Sequence, residues 1–386
     1  MGKTTAFRLV FLLCAAGVIS AEQAGRAAWK GTVTVEGGVK VVKNPAEPLY
    51  GEFPFALEED LLLGGDPEKE VSYFPRGAIL AVDTPGNLFV VDIGNRRVQM
   101  FDRSGAFVRT IGRQGQGPGE YMFPAGVHFG ADGTIWIDVG RQVVVFSKDG
   151  LFIKNVLIAK FMSPKMLRLD GSFIGTTQPS AAQGDPKHEL IKVDSDGKTS
   201  RTIAEFRGEL SQARRAISFH YYSNRICFTP VSSDSFAYGF SDEYKIYFAD
   251  AEGKTTLVMT VPEKPQPISA KEKEETRANG IYAWAGGNNP DEGVFFPDQR
   301  PFFSELMADD LGRIYVIRSK SILEKDGPIR VDVFSGEGIY LCRMTWTSRP
   351  AAIRSGFFYE VREDPETNEH LIIRHRINNW GQMRSR

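Results

Sequence analysis

The feature of the sequence that most constrains its fold is a unit of short apolar runs separated by turn residues, first clear over residues 83–124. Apolar runs at 88–91, 98–101 and 107–111 are separated by turns of the Asn-Gly and Ser-Gly type, and a glycine-rich loop over 112–119 follows the last run. Runs of this length and spacing predict an antiparallel meander of β-strands. A meander alone cannot bury its faces, so the unit is expected to repeat.

Turn glycines mark the repeat along the chain. Gly105, Gly150, Gly197 and Gly253 stand 45, 47 and 56 residues apart. The next turn glycine, Gly338, follows only after 85 residues because an insertion intervenes. Units of about 40–50 residues with four strands each are typical of the blades of a β-propeller.

The two ends of the chain complete the predicted ring. The sixth unit, over residues 357–377, lacks an obvious fourth strand, and the LEEDLLLGG stretch at 57–65 is a fourth strand without a blade of its own. Pairing the two would close the ring and remove a free sheet edge. The sequence therefore predicts an all-β fold, a six-bladed β-propeller of four-stranded antiparallel blades closed by an N-terminal strand. Seven blades stay open if the predicted hairpin at 32–42 belongs to another blade.

The N-terminus predicts a signal peptide over residues 1–21. Lys3 and Arg8 precede an apolar run at 9–19 that is too short to span a bilayer, and a small residue, Ala21, lies at the expected cleavage position. The mature chain is then exported to the periplasm or the extracellular space. Lipoprotein anchoring through Cys14 is the less favoured alternative, because leucines rather than a small residue precede that cysteine.

The remaining chain divides into an N-terminal extension with a hairpin, residues 22–56, and the propeller, residues 57–386. Two segments do not fit the repeat, namely the insertions at 207–228 and 262–300, and the KEKEETR segment at 271–277 of the second predicts a helical turn. Long insertions in a compact fold are usually functional or disordered. Function is therefore to be sought in these two insertions.

Charge and cysteine content limit the partners. The net charge of −1 gives no reason to expect nucleic-acid binding, and no basic cluster suggests an anionic membrane surface. No later segment approaches the length of a transmembrane helix, and a monomer is expected. Cys227 and Cys342 are interpreted as buried, unpaired thiols, although an exported compartment would permit a disulfide between them.

The repeat over residues 86–112, GNLFVVDIGNRRVQMFDRSGAFVRTIG, resembles the repeats of the NHL-repeat superfamily, and the resemblance is strongest over 83–150. The GQGPGEY segment followed by Phe123-Pro124 is similar to the exported bacterial six-bladed β-propeller proteins within that superfamily. This resemblance implies a six-bladed propeller over nearly all of the mature chain. It implies little about activity, because a fold does not fix a function.

Two features near the first repeat invite binding-site interpretations that the residues do not favour. The loop at 112–119 lacks the Gly-Lys-Ser/Thr ending and the following helix of a phosphate-binding loop, so a crossing between blades is predicted. Asp83, Asp92 and Asp102 lie near turns, where aspartates cap the turn backbone. A calcium role would need several oxygens in one short loop.

The five histidines show no metal-binding spacing, so no metal and no cofactor are predicted. His128 lies on a predicted innermost strand and is a candidate for lining the central channel. His370 and His375 differ by five positions and should point to opposite faces of one strand.

The best ligand-binding candidates lie in the insertions. They combine cations with amphipathic aromatic side chains, a mixture that is enriched at recognition surfaces. The candidates are Arg214, Arg215, His220, Tyr221 and Arg225 in the first insertion, and Trp284 and Arg300 in the second. Tyr222 belongs to the same cluster.

The sequence favours an exported propeller that acts as a ligand-binding or protein-interaction module for a glycan, peptide or protein. The alternative is a lyase or hydrolase with its active site in the axial pocket of the propeller. No Ser-His-Asp, Cys-His or paired-carboxylate arrangement can be argued from the spacing of residues, so catalytic residues are unknown at this stage.

Overall fold

The structure, a computed structural model, describes residues 29–66, 68, 70–158, 165–167, 170–177, 187–207, 219–279 and 294–384. The predicted signal peptide with Cys14 lies outside the described residues, as do Arg214, Arg215 and Trp284.

The described residues form a six-bladed β-propeller, as the repeat predicted. The N-terminal strands are β1 (Thr32–Glu36), β2 (Val39–Lys43) and β3 (Leu57–Leu63). Blade 1 contains β4 (Ala78–Val82), β5 (Leu88–Asp92), β6 (Arg97–Phe101) and β7 (Phe107–Ile111), and the crossing to blade 2 contains β8 (Arg113–Gln114) and β9 (Glu120–Tyr121). Blade 2 contains β10 (Gly126–Phe129), β11 (Ile135–Asp138), β12 (Gln142–Phe146) and β13 (Phe152–Leu157). Blade 3 contains β14 (Lys165–Leu167), β15 (Phe173–Thr176), β16 (Lys187–Val193) and β17 (Ser200–Arg207).

The second half of the ring carries the insertions. After β18 (Phe219–His220), blade 4 contains β19 (Ile226–Pro230), β20 (Ser235–Phe240), β21 (Lys245–Asp250) and β22 (Thr255–Thr260). The second insertion contains β23 (Gln266–Pro267), helix α1 (Ala270–Asn279), β24 (Val294–Phe295) and β25 (Gln299–Arg300). Blade 5 contains β26 (Phe303–Ala308), β27 (Ile314–Arg318), β28 (Ile329–Phe334) and β29 (Tyr340–Trp346). Blade 6 contains β30 (Pro350–Arg354), β31 (Phe357–Glu363) and β32 (His370–Ile377), and helix α2 (Trp380–Arg384) follows; single 3-10 turns occur at Glu70–Ser72 and Ile322–Glu324.

Ring closure follows the predicted scheme. β3 pairs antiparallel with β32, with Leu57 opposite Ile377 and Leu63 opposite Ile372. The N-terminal strand thus supplies the outer strand of blade 6.

The predicted N-terminal hairpin exists, but it does not build a seventh blade. β1 and β2 pair antiparallel, and β2 then adds in parallel to β22, so the sheet of blade 4 has six strands. The segment at 44–56 continues along β29, where the amides of Leu49 and Phe53 donate to the carbonyls of Tyr340 (3.0 Å) and Arg343 (2.8 Å). The N-terminal extension therefore joins blades 4, 5 and 6.

Turn chemistry explains the spacing of the glycines. Asp102 accepts hydrogen bonds from the amides of Ser104 (2.8 Å) and Ala106 (3.0 Å), and Gly105 has a φ of +88°. A β-carbon at Gly105 would lie 2.6 Å from Leu61 Cδ1, so both the conformation and the close packing require glycine. The predicted turn-capping role of Asp102 is confirmed.

Asp83 and Asp92 cap turns in the same way. Asp83 accepts from the amides of Gly86 (2.9 Å) and Asn87 (2.7 Å), and Asp92 accepts from the amide of Asn95 (3.0 Å). These carboxylates stabilise turn backbones, as their positions in the sequence predicted.

The glycine-rich loop crosses from blade 1 to blade 2. β8 and β9 pair in parallel within it, and the buried Tyr121 hydroxyl donates to the carbonyl of Ile111 (2.5 Å) and accepts from the amide of Val98 (3.0 Å). At Gly112 the φ is +67° and a β-carbon would lie 2.6 Å from the Tyr121 ring. The loop is an anchored crossing, as predicted, and its glycines allow the close approach of backbone and ring.

The hydrophobic core is divided among the contacts between neighbouring blades. In the described part of the chain, six buried clusters each combine side chains of two adjacent blades. Representative pairs, in ring order, are Phe89 with Ile137, Trp136 with Phe173, Ile174 with Phe236, Ile246 with Phe303, Tyr315 with Phe358, and Tyr359 with Val90. Cys227 and Cys342 lie buried in different clusters, and no disulfide joins them.

Candidate functional site

Strand topology places both insertions on one side of the ring. In an antiparallel four-stranded blade, the connections that follow the second and the fourth strand emerge on the same side. The described parts of the insertions, 219–225 and 261–279 with 294–302, come after fourth strands, and the segment at 319–328 follows the second strand of blade 5. We call the side of the ring that carries these three segments the insertion face. The opposite side carries the turns that follow first and third strands, such as those capped by Asp83 and Asp102.

The two insertions meet on this face. β18 of the first insertion pairs in parallel with β24 of the second, with His220 opposite Phe295, and the amide of Tyr221 donates to the carbonyl of Phe295 (3.1 Å). The rings of His220 and Phe295 stack with centroids 5.3 Å apart, and those of Tyr221 and Phe296 stack at 5.9 Å. Two predicted candidates thus lie in the junction between the insertions.

Helix α1 joins this junction to blade 5. Its N-terminus is a capping box, in which Glu272 accepts from the amide (2.9 Å) and hydroxyl (3.0 Å) of Ser269. Glu272 also accepts from the Ser321 hydroxyl at 2.6 Å and lies 3.6 Å from Arg300 Nη1. Burial alone would raise the pKa of Glu272, but the hydrogen bonds from Ser321 and Ser269 and the charge of Arg300 together lower it. Glu272 is therefore an anion that fixes both a loop of blade 5 and Arg300.

A cavity of about 470 Å³ lies next to this junction, between blades 4 and 5. Its walls come from the segments at 261–266, 300–302 and 318–320, and from the N-terminal extension at Ala46. Because β28 and β29, the third and fourth strands of blade 5, also line it, the cavity lies toward the rim of the ring and not on its axis.

Charged side chains dominate the cavity lining, and cations outnumber acids. The cations are Arg300, Arg318, Lys320, Arg330 and Arg343, and the acids are Glu263, Glu324 and Asp332. Outside the lining, Glu47 and Glu52 lie 3.7 Å and 3.9 Å from Arg343, but both are largely exposed and contribute little in water.

Arg318 is the most heavily bonded of these cations. Its guanidinium forms a bidentate pair with Glu263, donates to Asp332 at 2.9 Å and to the carbonyl of Phe302 at 2.9 Å, and stacks 4.7 Å from the centroid of Tyr244. Burial opposes the charge of Arg318, but the hydrogen bonds and charges of its partners raise its pKa above the ordinary range. Arg318 serves as a fixed part of the cavity wall.

Asp332 forms the buried floor of the cavity. Its side chain is 3% exposed, and it accepts hydrogen bonds from the hydroxyls of Tyr244 (2.6 Å) and Tyr340 in addition to Arg318. Burial and the adjacent carboxylate raise the pKa of both tyrosines. The hydroxyls remain protonated donors, and the network joins blade 4 to blade 5.

The predicted candidates do not all meet at the cavity. Arg300 lines it, His220 and Tyr221 lie in the adjacent junction, and Arg225 lies apart. Arg225 is exposed before the innermost strand of blade 4, where its charge acts on Glu305 of the innermost strand of blade 5. Burial raises the pKa of Glu305, against the opposing charges of Arg349 and Arg225.

His128 lies on the innermost strand of blade 2, as predicted. It is opposite Trp136 in the pairing of β10 with β11, so the two side chains share a face of the sheet. A channel-lining role stays a prediction.

Most of the cavity lining escaped the sequence interpretation. Arg318, Arg330, Asp332 and Arg343 lie on regular blade strands, and Glu263 follows one directly. The only signal for them was a charge within an otherwise apolar strand, such as Asp332 in IRVDVF.

A second polar group was also missed in blade 6. Ser348 donates to Glu360, and His375 Nε2 lies 3.2 Å from the other oxygen of that carboxylate. The serine hydroxyl bonds to the carboxylate and not to the histidine, so this is not the arrangement of a nucleophile and its base.

No group of three or more His, Cys, Asp or Glu side chains in the described ranges could hold a metal ion. No helix in that part of the chain is long and apolar enough to cross a membrane.

Comparisons with known proteins agree with the observed architecture. A protein family described as "6-bladed beta-propeller" matches residues 77–166, which span blades 1 and 2. No match is found among curated proteins.

Two solved structures resemble the whole ring. A candidate exported protein of Bacteroides fragilis is 12% identical, with a TM-score of 0.52 over 88% of this chain and 99% of that chain. A member of the DUF4221 family from Bacteroides vulgatus is 10% identical, with a TM-score of 0.50 over 84% and 98% of the two chains. At these identities the likeness concerns the fold alone. The chain is thus a six-bladed β-propeller, and its finer placement among NHL-repeat proteins and its export stay predictions.

Proposed function

We propose that this protein is an exported ligand-binding module whose binding site is the cavity on the insertion face between blades 4 and 5. The observation that carries the proposal is the convergence of both insertions and a blade 5 loop beside one charged cavity. Its volume of about 470 Å³ falls within the range of small-molecule sites, about 300–1,000 Å³.

The cavity is built before any ligand arrives. Arg318, Glu263 and Asp332 hold one wall through short hydrogen bonds, and Glu272 holds Arg300 and Ser321 beside it. Side chains that are already held in place lose little conformational entropy when a ligand binds. A rigid wall therefore favours a higher affinity for a complementary ligand. A ligand-binding role explains why a wall of this kind is built of ion pairs, which stabilise a fold only weakly.

The test is a thermal-shift and calorimetric screen of oligosaccharides and short peptides against the mature protein. Ser319→Trp would fill the cavity, because Ser319 lines it. Lys198→Trp, in an exposed turn on the opposite side of blade 3, is the matched control. We expect a ligand that binds the wild type and the control but loses at least tenfold in affinity for Ser319→Trp. Unchanged binding to Ser319→Trp would contradict the proposed site.

A further inference from the structure

We propose that the cavity binds a carboxylate-bearing sugar, a uronate, with Arg300 and Lys320 as the side chains that receive the carboxylate. This inference rests on the proposed function and names its ligand class.

The charges of the cavity fall into two groups. Arg318 is neutralised by Glu263 and Asp332. Asp332 also lies 3.5 Å from Arg343, and Arg330 lies 3.3 Å from Glu324. Within these pairs the positive and negative charges cancel, and the paired side chains form the wall of the cavity. Arg300 and Lys320 form the second group, and their positive charge is the less compensated.

Arg300 has a donor that the described residues do not use. The nearest carboxylate, Glu272, lies 3.6 Å from Nη1 and already accepts three shorter hydrogen bonds from Ser269 and Ser321. Arg300 Nε has no acceptor among the described residues, but it is buried, so a ligand in the cavity would meet the exposed part of the side chain instead. The side chain is 19% exposed and its backbone is held by the pairing of Arg300 with Gln266. A guanidinium edge fixed in this way suits a planar, bidentate acceptor.

Lys320 adds a point charge to the same cavity. Its ammonium donates to the carbonyl of Lys325 at 2.7 Å and to that of Gly327, and no carboxylate of the described residues lies within 4 Å of it. An ammonium group has three donors, so one remains after these two bonds. A carboxylate that bridges Arg300 and Lys320 would compensate the lysine charge.

The surroundings favour a sugar over an acidic peptide. Peptides are usually recognised by adding a strand to a sheet edge or by laying a helix into an apolar groove. Among the strands that line the cavity, β27 and β28 lie inside the sheet of blade 5, and the segment at 49–53 bonds the edge of β29. β23 and β25 have two residues each and pair with one another. The cavity instead offers the polar groups of Gln266, Glu324 and Arg330 around the proposed carboxylate site, which suits ring hydroxyls.

The experiment is calorimetric titration of the mature protein with galacturonate and glucuronate oligosaccharides of two or three units. The same oligosaccharides as methyl esters are the matched probes, because they keep the sugar and lose the charge. We expect at least tenfold weaker binding of the esters, and at least tenfold weaker binding of the free acids by Arg300→Gln. Arg201→Gln, which removes an exposed cation paired with Glu252 in blade 3, should leave binding unchanged.

Lys320→Gln is the second variant, used if Arg300→Gln fails to fold, and should also weaken binding at least tenfold. Equal binding of acid and ester, absence of binding of every uronate, or unchanged binding by a folded Arg300→Gln would overturn the inference. Tighter binding of triglutamate than of any uronate would also overturn it, in favour of an acidic peptide. If neutral sugars bind and Ser319→Trp abolishes that binding, the uronate inference fails while the proposed site stands.

Discussion

At the scale of single residues, the most consequential group is the buried Asp332. It accepts hydrogen bonds from two tyrosine hydroxyls and from Arg318, and it does so in the contact between two blades. A buried anion with several charge-assisted partners is costly to disturb, because each partner becomes unsatisfied when the anion is removed.

Asp332→Ala is therefore expected to lower the free energy of unfolding by about 3–5 kcal/mol. Tyr340→Phe, which removes a single hydroxyl from the same network, should cost only about 1 kcal/mol. Urea denaturation followed by tryptophan fluorescence measures both. A cost for Asp332→Ala no larger than that for Tyr340→Phe would mean that the network does not stabilise the contact between the blades.

Cys227 gives a prediction about pH. Burial raises the pKa of its thiol to about 12, against the opposing charge of Arg225. In the unfolded chain the thiol ionises at about pH 8.5, so the unfolded state loses its proton first as the pH rises. The stability should fall from about pH 8.5 toward pH 12, and the contribution of Cys227 to the loss between pH 8 and pH 10 is about 2 kcal/mol.

Cys227→Ala isolates the contribution of this thiol to the loss of stability. The ionisation of tyrosines lowers the stability of the wild type and of the variant alike, so it cancels in the comparison. The loss of stability between pH 8 and pH 10 should be smaller for the variant by about 2 kcal/mol. Identical losses in urea titrations at the two pH values would show that the thiol is not protected in the folded state.

At the scale of elements, the hairpin of β1 and β2 shows which features local sequence signals can predict and which they cannot. Glycines between two alternating apolar runs predicted the hairpin, because a two-residue turn is a local property. Its parallel pairing with β22 was not predicted, since that partner lies more than 200 positions away in the sequence. Val42 then becomes fully buried in the cluster between blades 4 and 5, whereas Val35 in the same hairpin is 72% exposed.

Val42→Ala and Val35→Ala make a matched pair that tests this placement. Val42→Ala should lower the free energy of unfolding by about 1–3 kcal/mol, because it leaves a cavity in a packed cluster. Val35→Ala should change it by less than about 0.5 kcal/mol. Equal effects of the two substitutions in urea denaturation would show that the hairpin does not pack on blade 4.

At the scale of the whole molecule, stability depends on a closed ring. Each core cluster belongs to two blades, so no blade completes its core alone. The pairing of β3 with β32 joins residues about 300 positions apart. The entropic cost of closing this loop is offset only when all six contacts between neighbouring blades form.

A disulfide across this closure should stabilise the ring. Glu58 and Arg376 are paired neighbours on β3 and β32, at the spacing that antiparallel partners share. The double variant Glu58→Cys, Arg376→Cys is expected to gain about 2–4 kcal/mol when oxidised, because the unfolded chain becomes constrained. Thermal unfolding with and without a reductant measures the gain, and Glu58→Ser, Arg376→Ser is the control. No difference between the oxidised and reduced forms would contradict the predicted role of the closure.

The sequence by itself determined the repeat and the strand that closes the ring, and it favoured six blades over seven. These follow from strand period, turn residues and spacing, which are local along the chain: Asp102 and Gly105 define their turn within a few positions. It also located both insertions and, among their candidates in the described part of the chain, the cavity residue Arg300.

Only the tertiary structure decided that the insertions meet and that the cavity lies at the rim between blades 4 and 5. Its walls join Ala46, Arg300 and Arg343, which are far apart in the chain. Asp332 and Arg318 lie on ordinary strands. The neighbouring residues in the sequence do not indicate which distant side chain each charge will pair with. The complete site needs the N-terminal extension to return to the far side of the ring, where it lies against blades 4 and 5 beside the second insertion.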